Sequence, residues 1–143
     1  MLLDAQTLFS DDQAVTATAA STNYMDLKAS STPPGAPAAL GNEIGGANDM
    51  QILVQVTADF ATLTSLTVTV ETDDNSSFSS AATIAGTPAI AAASLVAGYI
   101  FPLTTIPLSG MERYVRLKYT VGGSNATAGT ITASIVPAIQ TNG

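Results

Sequence analysis

Along much of the chain, apolar and polar residues alternate one for one. Ile52, Val54 and Val56 alternate with Gln51, Gln55 and Thr57. Leu66, Val68 and Val70 alternate with Thr67, Thr69 and Glu71. Near the end, Val115, Leu117, Tyr119 and Val121 oppose Tyr114, Arg116, Lys118 and Thr120. Ile131, Ala133 and Ile135 then oppose Thr130, Thr132, Ser134 and Val136. A period of two marks a strand with one buried face. Thr and Val suit such pleated, half-buried surfaces. The pattern predicts strong strands over 50–58 and 66–72. It also predicts a hairpin from Met111 to Pro137, turned by the glycine-rich 122–129. Weaker strands are expected over 14–18, 22–27, 77–84 (holding Phe78) and 98–103. Pro102 demotes the last of these to a sheet edge or a bulge. Ala19-Ala20-Ser21 reads as a turn, and so does Asp73-Asp74-Asn75, because Asp and Asn bond their own backbone in turns.

About eight short strands with no convincing long helix predict an all-β antiparallel sandwich or barrel. A jelly roll is the leading architecture. An immunoglobulin-type sandwich comes second, since its Cys and Trp signature is missing. The length of 143 residues suits one domain, placed over 14–143 behind an N-terminal arm over 1–13. That arm carries Leu2, Leu3, Leu8 and Phe9 among Asp4, Asp11 and Asp12. Apolar residues there need covering, by the chain's own sheet or by a partner. A second irregular stretch, 29–49, holds Pro33, Pro34, Gly35, Pro37, Gly41, Gly45 and Gly46. Loops of this length are usually functional or disordered. We read this one as ordered by a partner, with 33–48 as a contact element.

Composition narrows the chemistry. There is no Cys, His or Trp. That excludes disulfides, thiolate metal sites and a conventional Ser-His-Asp triad, and removes the commonest general base. Gly45-Gly46 and Gly122-Gly123 precede no P-loop lysine. The acids include no pair in an aromatic-rich setting, so a glycosidase is poorly supported. Asp73, Asp74 and Glu71 offer oxygen ligands, but their spacing does not match a calcium loop. The sequence argues against an enzyme and for no cofactor. The net charge of −7 disfavours nucleic acid and anionic membranes as partners. Only 10% of residues are charged, against a usual ~25%. The polar surface must then be Thr, Ser, Asn and Gln, which suits burial against another protein. The apolar run 89–101 is too short to cross a bilayer, and Met1-Leu2-Leu3-Asp4 lacks a basic secretory start. Synthesis in the cytoplasm is expected.

Three of the four cations, Arg113, Arg116 and Lys118, fall in one predicted strand. The simpler reading pairs them with Glu71, Glu112 or Asp side chains across strands. The functional reading makes them a docking patch for an acidic partner.

Several segments, taken together, resemble a known family. They are Met1-Leu2-Leu3-Asp4-Ala5-Gln6, then Thr18-Ala19-Ala20-Ser21-Thr22-Asn23 with Asp26-Leu27. Val68-Thr69-Val70-Glu71-Thr72-Asp73-Asp74 with Ser77-Phe78 and Leu95-Val96-Ala97-Gly98-Tyr99 follow. Arg113-Tyr114-Val115-Arg116-Leu117, Tyr119-Thr120-Val121-Gly122-Gly123 and Ala128-Gly129-Thr130 complete the series. The series resembles capsid cement (decoration) proteins of tailed bacteriophages, the podophage-type jelly-roll group. The resemblance implies a structural virion protein on the outer surface of the icosahedral head. It would bind the major capsid protein, associate with itself as a homodimer or homotrimer, and stabilise the expanded shell. The contact elements we assign are Leu2, Leu3, Leu8 and Phe9 of the arm, Pro33 and Pro34 of the loop, and Arg113, Arg116 and Lys118. The edge over 99–103 is an alternative contact, pairing with a neighbour's strand. A rival reading is a receptor- or carbohydrate-binding module. It would need an exposed aromatic cluster, which Tyr24, Tyr99, Tyr114 and Tyr119 could supply.

Overall fold

The computed structural model describes residues 3–27, 30–31, 34–38, 40–41, 50–107 and 109–139. The strands are β1 (Leu8–Ala14), β2 (Ala19–Ala20), β3 (Met25–Asp26), β4 (Ser30–Ser31), β5 (Leu40–Gly41) and β6 (Met50–Ala61). They continue with β7 (Ser65–Asp73), β8 (Ala82–Gly86), β9 (Ile90–Ala91), β10 (Thr105–Ile106), β11 (Tyr114–Gly122) and β12 (Ala128–Ile135). One sheet is ordered β1-β12-β6-β10. The other is ordered β2-β11-β7-β8, with β3 also on β11 and β9 also on β7. Strands β4 and β5 form a separate pair. All ladders are antiparallel.

The chain is an all-β sandwich with jelly-roll order. Taking β2 with β3, and β8 with β9, as single strand positions makes the nesting plain. The first position pairs with the last (β1 with β12), and the second with the next to last (β2 and β3 with β11). Next inward, β6 pairs with β10 and β7 with β8 and β9. It is one long antiparallel ribbon rolled into two facing sheets.

The strong alternations become the inner faces. Ile52, Val54 and Val56 of β6 and Ile131 and Ala133 of β12 are buried on one side. Leu66, Val68 and Val70 of β7 and Val115, Leu117 and Tyr119 of β11 are buried on the other. Each of these Val, Leu and Ile side chains contributes about 1.5–3 kcal/mol by leaving water. Phe9, Val15, Leu95, Phe101 and Ile106 complete the core.

Several expected elements differ. The Met111–Pro137 hairpin does not exist: β11 pairs with β7 and β12 pairs with β6, in opposite sheets. The glycine-rich connection arches across the sandwich instead. Gly123 takes φ +80, and a side chain there would collide with Thr64. Both strands still bury one face because those faces meet in the same core.

The arm is also corrected from Leu8 onward, since that stretch is the edge strand β1. Its ladder with β12 shifts register twice, and Asp12 adopts φ 43. Such bulges destroy the alternation that would have revealed a strand. Of the strand expected over 14–18, only Ala14 belongs to β1 and 15–18 lie beyond its end, whereas Ala19-Ala20, read as a turn, is β2. Phe78 sits in a turn before β8 rather than in a strand. The stretch 98–103 is irregular, with a single bridge between Ile100 and Gln55. Within 29–49, the short β4–β5 pair appears where no periodicity was legible.

Candidate interaction surface

The outer face of the β7–β11 ladder gathers the cations. Register places Arg116 directly across from Glu71. Arg116 Nε donates to Glu71 Oε2 at 2.8 Å, with Nη2 at 2.7 Å from the same oxygen. Lys118 Nζ lies 3.3 Å from Glu71 Oε1. One nearly buried carboxylate therefore serves two cations. Arg113 makes a fork with Asp26 of β3, Nε to Oδ1 at 2.9 Å and Nη2 to Oδ2 at 2.8 Å. That carboxylate holds the Arg113 guanidinium above its ordinary pKa, against the opposing effect of desolvation. The pairing across strands that the sequence suggested is thus present for all three. Arg113 and Lys118 keep 42% and 41% of their side-chain surface in water, so they are also open to contact from outside.

An aromatic group adjoins these pairs. Tyr24, Phe78 and Tyr114 meet edge to face, with centroids 5.9, 5.6 and 6.5 Å apart. Edge-to-face pairs of this kind add about 0.5–1.5 kcal/mol each beyond burial. The Arg116 guanidinium lies 4.1 Å from the Phe78 centroid, and the Arg113 guanidinium 4.9 Å from that of Tyr114. Tyr24 remains 50% exposed. Of the other tyrosines, Tyr119 is core and Tyr99 packs on Phe101 at 5.4 Å. The sequence reading placed Phe78 in a strand and not in this aromatic group, because its position depends on the turn that precedes it.

That turn is built by Asp73. Burial opposes ionisation of its carboxyl, but the N–H groups of Asn75 (2.9 Å) and Ser80 (2.7 Å) donate to it. The Ser80 hydroxyl donates as well, at 3.1 Å. These bonds outweigh the burial and hold its pKa below the ordinary carboxylate value. Phe78 is thereby carried at φ 52, a conformation unusual for a bulky residue. Oxygens of Asp73, Asp74 and Glu112 lie within 4.8 Å of one another. Both Asp73 oxygens already serve the turn, in keeping with the turn reading of the sequence.

The remaining assigned contacts are scattered. Phe9 is fully buried and is corrected from a partner contact to a core residue. Leu8 is half-buried in β1, Leu3 is 44% exposed, and Pro34 is exposed. Leu2 and Pro33, like most of 33–48, lie outside the described residues. Within the stretch 99–103, the backbone bonds to its own β6: Tyr99 O accepts from Val56 N–H at 2.9 Å, and Phe101 N–H donates to Val54 O at 2.9 Å.

A protein-family model, Bbp16, matches residues 9–135. The chain belongs to the Bbp16 family. The matched span runs from the second residue of β1 to the last residue of β12, so it takes in the whole rolled ribbon. Bbp16 is a phage-type name and is consistent with a phage protein. Comparison with curated protein sequences finds no match.

Proposed function

We propose that this member of the Bbp16 family is a cement protein on the outside of an icosahedral phage head. The single observation that carries the reading is that the phage-type family match covers the complete jelly roll. Low charge density and a net charge of −7 support it. A surface of Thr and Ser costs little to desolvate on docking. An acidic chain is tolerated outside the shell, whereas packaged DNA would repel it inside. The mechanism is mass action: a protein that binds only the assembled lattice stabilises that state over ruptured shells. Copies that bridge two capsid subunits gain further by multivalency. The test is co-sedimentation of purified protein with expanded empty heads. Saturable binding supports the reading, and no binding at micromolar concentration defeats it.

The exposed ring of Tyr24, beside Tyr114 and the Arg113–Asp26 fork, favours a second reading as a glycan-binding module. Binding to a glycan array that Tyr24→Ala abolishes would support it. An array without signal would remove it.

A further inference from the structure

Strand β1 meets β12 out of step. Two steps from Leu8 to Ser10 face one step on β12, and three from Ser10 to Gln13 face two. Each shift leaves one extra residue in β1. Alternation does not select this register, since the neighbours Phe9 and Ser10 are both fully buried. A slip of one residue would exchange the two faces of the strand. Two side-chain bonds sit at the second shift. Ser10 Oγ donates across it to Gln13 Oε1 at 2.7 Å. Asp12, within it at φ 43, sends its N–H to Thr132 Oγ1 at 3.0 Å.

The Ser10–Gln13 bond is one link in a longer chain with a fixed direction. Gln13 Nε2 donates to Ala20 O of β2 at 2.8 Å, and Gln13 Oε1 accepts from the Thr22 N–H at 2.9 Å. These neighbours fix the amide, because reversing it would set NH2 against N–H. Gln13 Oε1 can only accept, so the Ser10 hydroxyl uses its one proton there. The 2.7 Å bond between Ser10 Oγ and Tyr119 Oη must then run from Tyr119. Burial pushes the pKa of the Tyr119 phenol up, against the opposing bond to Ser10, so it keeps the proton it donates. Tyr119 is a buried residue of β11, in the sheet opposite β1. The chain starts in one sheet, reaches β1 in the other and returns to the β2–β3 link of the first. Asn23 of that link adds its N–H to Phe9 O at 2.9 Å and its Nδ2 to Leu8 O at 3.3 Å.

We propose that Tyr119, Ser10 and Gln13 form a latch that sets the bulged register of β1 and holds the strand as a strap. The strap opens as a unit while β12, β6 and the facing sheet stay folded, and its opening uncovers the edge of β12. This inference does not rest on the head-binding reading. The test is native-state amide exchange by NMR on the full chain, over denaturant concentrations below the unfolding transition. The reporters are the N–H groups of Asp12 and Asn23, whose acceptors, Thr132 Oγ1 and Phe9 O, lie outside the latch. The references are the N–H groups of Val56 and Phe101, bonded to Tyr99 O and Val54 O. In the wild type the reporters should share one opening that depends less on denaturant than that of the references, because it exposes less surface. Tyr119→Phe and Gln13→Ala should each speed the reporters about tenfold. The double variant should stay well below the product of about a hundredfold, since either change breaks the same chain. Gln13 is only half-buried, so Gln13→Ala paired with Ser10→Ala repeats the comparison if Tyr119→Phe does not fold. Reporters that open only together with the references overturn the proposal. So does a variant that leaves the reporter rates unchanged, or a double variant that reaches the full product.

Discussion

Strands β11 and β12 carry the same alternation but end in different surroundings. On β11 only Val115, Leu117 and Tyr119 are buried, and the opposite face holds ion pairs. On β12 every residue from Ile131 to Ile135 is buried. Its outward Thr132 and Ser134 are covered by the start of the chain. Ser134 Oγ lies 3.1 Å from Thr7 Oγ1, and Asp12 N–H donates to Thr132 Oγ1 at 3.0 Å. The difference teaches that a period of two locates one buried face only. Whether the other face meets water depends on which distant segment lies over it.

The largest expected effect breaks this comparison directly. Ser134→Asp buries a carboxylate without a cation and should cost about 3–5 kcal/mol. Thr120→Asp on the open face of β11 should stay within about 0.5 kcal/mol. Denaturant melts of the two variants would show the contrast, and equal losses would refute it. Next come the shared inner faces. Leu117→Ala and Ile131→Ala should each lose about 2–5 kcal/mol, because both side chains are fully buried in one core. A smaller effect belongs to the ion pairs: Glu71→Gln should lose about 1–2 kcal/mol, and Lys118→Ala less than about 1 kcal/mol. Thermal melts at low and high salt would separate them.

The smallest signal near neutral pH concerns Asp73. Its folded pKa lies below the ordinary value of about 3.9. The stabilisation it contributes is present in full above that value and is lost as pH falls through the folded pKa. Asp73→Asn should therefore flatten the acid end of the stability profile below about pH 4 and leave the slope near pH 7 unchanged. An unaltered acid limb would show that other carboxylates carry it.

Much of the fold was legible because β6, β7, β11 and β12 keep one period over long runs, the register shifts of the β6–β12 ladder being confined to its end near Thr130. The edge strand β1 was not, since its bulges displace the alternation by single residues. Partner choice was not legible either: a glycine-rich link permits a hairpin or an arch, and only the core across the sandwich decides. At the candidate surface, charge and strand position suggested that Arg113, Arg116 and Lys118 pair with Glu71, Glu112 or Asp side chains, and the register then selects Glu71 for Arg116. The meeting of Tyr24 with Phe78 was not legible, because it depends on a turn held by Asp73 and on a strand of two residues.

The most direct test of the head-binding account is a cryo-electron microscopy difference map between bare expanded heads and heads saturated with this protein. The account predicts added density of one jelly roll per site on the outer surface, touching at least two capsid subunits. Ordered density on the inner surface, or none at saturating protein, would contradict it.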